Sequence, residues 1–206
     1  VAPAALTQLG AQQDKKVVAM LPGSRNSEVA KLCELFLQTL TLAQASTGPL
    51  SVLIPAANAA RAAQIRQIIQ PYEPHLAISV LNQQADEAIA ASDVVLVASG
   101  TATLQTMLLK KPMVVAYKLS KFSFWLMSKL ATTQWVSLPN ILEQRDWVPE
   151  RLQDAATVEI LASDIQRALS DEQYRADYVS LATQWHQKLA LGADAQAAKA
   201  VLSLVE

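Results

Sequence analysis

Five short apolar runs, each followed at once by a helical pattern, constrain this chain more than any other feature. They are "KVVAML" closing at Leu21, "LSVLIP", "HLAISVL", "DVVLVAS" and "PMVVAY". None alternates apolar with polar, so neither face of these strands is meant for water. Strands buried on both faces belong to parallel sheets with helices on both sides. Right-handed crossovers then make an open, doubly wound α/β sheet of Rossmann type, in which strands one and four adjoin if the order is 3-2-1-4-5. The intervening segments suit this. Val29, Leu32, Cys33, Leu35, Phe36 and Leu40 recur at helical spacing behind Asn26 or Ser27 as a cap, with Glu28 in the first turn. "NAARAAQIRQIIQ", "QADEAIAAS" and "GTATLQTMLLKK" supply the other crossover helices.

Three zones result. Residues 1–15 read as a linker, 16–156 as the Rossmann-like domain, and 157–206 as helices with breaks near Ser170 and Gly192. After Tyr117 comes an aromatic stretch with Phe122, Phe124, Trp125, Trp135 and Trp147. A helix from Ser120 to Leu130 is expected there, then an irregular segment rich in proline. That helix, with Lys118, Lys121 and Lys129, either touches a membrane surface or packs over the sheet.

Composition narrows the function classes. With 51% hydrophobic and 17% charged residues, a substantial core can form, and a net charge of −1 argues against a broad polyanion-binding surface. No nucleic-acid partner is expected. The single cysteine, Cys33, excludes an intrachain disulfide framework and fits a reducing compartment such as the cytoplasm. It lies on an apolar helix face and reads as core. His75 and His186 have no ligands at metal spacing, so neither a metal nor a cofactor is expected. No run is long enough to cross a bilayer, and no secretory leader is visible. The chain starts at Val1 rather than Met and reads as a piece of a longer protein.

Ligands of open α/β sheets bind beyond the carboxyl ends of strands, where strand order reverses. Two donor-rich loops fall at such ends. In "PGSRNSE", Gly23 permits close backbone approach, Ser24 offers a hydroxyl, and Arg25 a planar fork for phosphate oxygens. In "ASGTATLQ", Ser99, Gly100 and Thr101 stand at a helix start, where free amides and the helix dipole favour an anion. Gly100 is the only glycine between Gly48 and Gly192. Each loop has a plainer reading: Arg25 as an exposed partner of Glu28, and Ser99 and Thr101 as ordinary caps. Neither loop is a Walker motif or G-x-G-x-x-G.

The order "LPGSRNSEV", "ASGTATLQTML", "KPMVVAYKLSKFSFWLMSKL", "VSLPNIL", "VPERLQ" resembles the lipid-A-disaccharide synthases, bacterial glycosyltransferases of GT-B fold. The resemblance runs from about Lys16 to the C-terminus and covers that family's C-terminal, donor-binding half. It implies transfer of a 2,3-diacylglucosamine unit from UDP onto 2,3-diacylglucosamine 1-phosphate. The product is a β-1,6-linked disaccharide, formed without a metal. The resemblance gives Arg25 the diphosphate, with Gly23 and Ser24 shaping its loop and Ser99, Gly100 and Thr101 beside the phosphates. Gln105 stands where the family has a glutamate for the ribose hydroxyls. Asn140 of "SLPN" falls in a further matching loop, where the resemblance implies a contact with the substrate. No catalytic residue is implied in this chain. The acceptor lipid and the base belong to the N-terminal half, and the enzyme sits at the inner face of the inner membrane. Two rivals remain: a donor domain of another UDP-N-acetylglucosamine transferase or epimerase, and a non-catalytic assembly or membrane-docking module. Tyr174, Tyr178, Leu181 and Trp185 recur at helical spacing, so a face awaiting that half or a second copy as a homodimer is expected.

Overall fold

The computed structural model describes residues 3–12, 14–118 and 134–190. The expected helix Ser120–Leu130 and the break near Gly192 lie outside them. The chain alternates strand and helix: β1 (Lys16–Leu21), α2 (Asn26–Thr47), β2 (Leu50–Ala56), α3 (Ala59–Ile69), β3 (Ala77–Asn82), α4 (Ala85–Ala91), β4 (Val94–Ala98), α5 (Thr101–Leu108) and β5 (Met113–Tyr117). A short α1 (Pro3–Gln8) precedes them. Then follow α6 (Leu138–Glu143), β6 (Glu150–Leu152), α7 (Val158–Ser170) and α8 (Glu172–Leu189). All strand pairs are parallel, and the sheet order is β3-β2-β1-β4-β5-β6. This is the doubly wound sheet expected, extended by β6.

Period-two side-chain alternation divides the core into two layers. Val18 and Met20 face one side, where Leu32, Phe36 and Leu40 of α2, Ile65 of α3 and Ile165 of α7 cover them. Val17, Ala19 and Leu21 face the other, covered by Ile89 of α4, Met107 of α5 and Tyr178 of α8. Both layers are dry, which is why the strands read as unbroken apolar runs. Cys33 is fully buried, and that burial pushes its thiol from 9.0 up to about 12. It is a core residue, not a nucleophile.

The structure corrects three expectations. First, residues 6–12 do not behave as a linker. Leu9 and Ala11 are buried, Leu6 packs beside them, and Ser79 Oγ donates to the Gly10 carbonyl at 3.1 Å. Second, the proline-rich segment is not wholly irregular. Pro139 sits in the first turn of α6, where a missing N–H costs nothing. β6 was hidden because its three residues are all half-buried and show no apolar run.

The third correction concerns α8. Its aromatic face is covered by its own domain. Tyr178 is 1% exposed, with its ring stacked on Trp147 at 5.1 Å between centroids. Trp185 donates its indole N–H to Glu143 and carries Lys188 over its ring. Periodicity showed that this face needed a cover. It could not show that α6 and the turn to β6 provide it.

The hydroxyl of Tyr178 is buried without a hydrogen-bond partner among the described residues. Removing only that atom in Tyr178→Phe should therefore leave stability within about 1 kcal/mol of the parent or raise it. Tyr178→Ala should lose about 3–5 kcal/mol, as for other buried aromatics. Urea unfolding checks both, and a mild Tyr178→Ala would mean that α8 is not part of this core.

Burial also raises Tyr174 from 10.0 to about 12 and Tyr178 well above 10.0. Above about pH 9 the unfolded chain releases protons that these groups and Cys33 retain when folded. The native state then binds more protons, so stability falls as pH rises. Melts from pH 8 to 11 should show this decline, shallower in Tyr178→Phe.

Candidate anion-binding crevice

Strand order reverses between β1 and β4, whose register runs from Val18 opposite Val94 to Leu21 opposite Val97. The loops leaving these two strands therefore emerge side by side. Between them lies a crevice of about 480 Å³, lined by Gly23, Ser24, Arg25 and Glu28 from one loop and by Ser99, Gly100 and Thr101 from the other. Residues after β2 and β3, among them Ala57 and Gln83, close its far side. Six of the residues singled out in the sequence thus meet in one place.

The β1 loop is shaped by a carboxylate. Glu28 Oε2 accepts from the backbone amides of Ser24 at 3.0 Å and Arg25 at 3.1 Å. Its Oε1 accepts from Arg25 Nη1 at 3.1 Å. The N-cap of α2 is Arg25 rather than Asn26 or Ser27. Arginine has no acceptor to return, so only the glutamate half of a capping box exists. Gly23 has φ +113°, and a β-carbon there would lie 2.5 Å from Glu28 Cβ. Glycine at this position makes room for Glu28, a reason the sequence reading did not contain. The Arg25 side chain is 76% exposed, with its guanidinium paired to Glu28.

The β4 loop differs. Gly100 is the N-cap of α5 at φ +150°, and no side chain caps the helix. Among the described residues a β-carbon at Gly100 would meet no atom within 4 Å, so the constraint there is conformational. The amides of Thr101 and Ala102 precede the first backbone bond of the helix, from Thr103 N–H to the Gly100 carbonyl at 3.1 Å, and stand at the dipole's positive end. Ser99 uses its hydroxyl to donate to the Val136 carbonyl at 2.9 Å. It tethers the turn, and with its one proton committed it has only acceptor lone pairs left for a ligand.

Asn140 does not line the crevice. It is fully buried, and its amide oxygen accepts from the amides of Trp147 at 2.9 Å and Val148 at 2.8 Å. Its nitrogen donates to the Val148 carbonyl at 3.1 Å and to Glu150 at 3.3 Å. The expected ligand role gives way to a positioning one, because the amide has no group left for a ligand. Glu150 in turn accepts from the amides of Val136 and Ser137, which hold Ser99 in place. Thr103 adds a second tie, accepting from the Leu138 amide at 3.3 Å while donating to the Gly100 carbonyl at 2.7 Å. Glu150 and Thr103 escaped the sequence reading, since nothing local marks a residue whose partners lie 13 or 35 positions away.

Gln105 is exposed on the second turn of α5 and donates to Asp86 Oδ1 at 2.8 Å. It is not among the residues that line the crevice, so the structure does not bring it together with the six. Among the described residues no group of three His, Cys, Asp or Glu side chains could hold a metal ion, and no helix is long and apolar enough to cross a membrane.

This sheet, with its helices and its crevice at the point of strand reversal, is a Rossmann-like domain of the GT-B glycosyltransferase class. Two solved structures share the fold. A spinosyn rhamnosyltransferase complexed with thymidine diphosphate aligns at TM-score 0.59 with 15% identity, over 88% of this chain and 44% of that one. The E. coli ADP-heptose heptosyltransferase II aligns at TM-score 0.55 with 12% identity, over 84% of this chain and 53% of that one. The family model "Lipid-A-disaccharide synthetase" matches residues 3–201. The lipid-A-disaccharide synthase of Pseudomonas aeruginosa strain UCBPP-PA14 is 43% identical over 203 residues, 98% of this chain and 53% of the relative. The chain belongs to the lipid-A-disaccharide synthase family. It spans about half the length of the curated relatives it matches.

The Asn140 clamp can be measured. Asn140→Ala would strand two buried amides and the Val148 carbonyl. Each such group costs about 1–3 kcal/mol, and relaxation of the turn recovers part of that. A loss of at least about 2 kcal/mol in urea unfolding is expected. A near-neutral substitution would show that the amide does not hold this turn.

Proposed function

We propose that this chain is the donor-binding half of a glycosyltransferase that takes UDP-2,3-diacylglucosamine and forms the β-1,6-linked lipid A disaccharide 1-phosphate. One observation carries the reading. At the strand reversal, two helix starts and one exposed guanidinium converge on a single crevice. That is the donor set a diphosphate requires, because it combines backbone N–H groups, positive dipole ends and a planar cation. Family membership and the thymidine diphosphate held by one structural neighbour support the same choice.

In the proposed reaction the bond from the sugar C1 to the diphosphate oxygen breaks, and negative charge grows on the departing UDP. Arg25 and the amides of the α2 and α5 starts stabilise that charge, so they act more strongly in the transition state than in the ground state. Gly23 and Ser24 shape the first loop. Ser99 and Gly100 shape the second, and Thr101 opens α5 toward the phosphates. Gln105, held by Asp86, receives a ribose hydroxyl on its carbonyl. The acceptor lipid and the base that deprotonates its hydroxyl are assigned to the part of the relatives that this chain does not span. The whole enzyme would work at the cytoplasmic membrane surface, where both lipid substrates reside. On this reading the chain alone makes no disaccharide.

Calorimetric titration of UDP and uridine tests the site. A charge-assisted hydrogen bond contributes about 1.5–3 kcal/mol, so Arg25→Ala should weaken UDP roughly tenfold to a hundredfold. Uridine, lacking phosphates, should change little. Equal losses for both ligands would make the loop a structural element, and no loss for either would move the site elsewhere.

A further inference from the structure

Glu28 sits where an anion belongs. Its carboxylate engages both loop amides, Ser24 N and Arg25 N, and the guanidinium of Arg25, all at 3.0–3.1 Å. These are the donors that the donor-binding reading assigns to a diphosphate, and the inference rests on that reading. The Glu28 side chain is 14% exposed while that of Arg25 is 76% exposed, so the carboxylate is the enclosed partner and the cation the exposed one. Gly23 is shaped around it, since a β-carbon there would lie 2.6 Å from Glu28 Oε2. Of the two helix starts that face the crevice, α5 has no side-chain cap, whereas α2 is already filled by a carboxylate.

We infer that Glu28 is a specificity-determining residue that stands in for the ligand's anionic group. It keeps the two amides and Arg25 in one anion-receiving arrangement and yields them only to a group of higher charge. A carboxylate carries one negative charge. A diphosphate carries more, spread over more oxygens, and outcompetes it for the guanidinium. Singly charged ligands do not. The pair also prevents Arg25 from standing unpaired at the mouth of an empty site, where it would attract any small anion.

The test uses Glu28→Gln in the same chain. Glutamine is the other residue that serves at this place in a capping box, so its carbonyl can still accept from the loop amides while the charge is lost. UDP should bind about two- to fivefold more tightly, the scale of releasing one exposed ion pair. Uridine should be unchanged. Glu28→Asp keeps the charge on a shorter arm and should not tighten UDP. Thermal melts of each variant confirm that the fold persists. UDP binding that is unchanged or weaker in Glu28→Gln would overturn the inference and leave Glu28 a helix cap. If Arg25→Ala weakens UDP while Glu28→Gln does not tighten it, the donor-binding reading survives and the stand-in role falls. If the parent chain binds no UDP, both fall together.

Discussion

The pairing of β1 with β4 is the constraint on which the rest depends. The chain lays down β1, β2 and β3 in one direction, then returns to place β4 on the free side of β1. Helices leaving β1 and β4 must therefore cover opposite faces of the sheet, and their starts part at the carboxyl edge. That parting is the crevice. Nothing in either loop would matter without it. "PGSR" on a strand paired elsewhere would be a surface turn with an exposed arginine, and "SGT" an uncapped helix start. A parallel sheet buried on both faces makes the pairing hard to shift, because a one-residue slip would exchange the Val18 and Val17 layers between two different sets of helices.

Around this geometry the two loops are held by different means. The β1 loop is braced from within by Glu28, which needs the space that Gly23 provides. The β4 loop is braced from outside. Asn140 fixes the turn at Trp147–Val148, Glu150 fixes Val136 and Ser137, and Val136 fixes Ser99. The second brace puts no side-chain cap on the α5 start among the described residues. A site for a large anion needs that combination, with backbone donors exposed and their supports set back from the ligand. The "SLPN" stretch thus bears on the crevice without entering it.

The sheet and most of the crevice were legible because each rests on local signals. Apolar runs marked the strands, and Gly, Ser and Arg at strand ends marked the loops. What escaped rests on contacts between distant residues. Asn140 looked like a ligand residue because a buried, saturated amide and an exposed, waiting one read alike in sequence. Gly23 seemed to serve the ligand, yet it first serves Glu28. The aromatic face of α8 was rightly read as needing a cover, but periodicity cannot say whose surface covers it. β6 was too short to carry a pattern, and its importance comes through Glu150, whose partners are supplied by residues 136, 137 and 140.

The central claim is that both loops contact one nucleoside diphosphate. Backbone amide resonances of the isotopically labelled chain, followed during a UDP titration, test it most directly. The account predicts that Ser24 and Arg25 of one loop and Gly100, Thr101 and Ala102 of the other shift together with a single binding constant. Shifts confined to one loop, or centred on the separate cavity between β6, α7 and α8 near Arg145 and Tyr178, would contradict it.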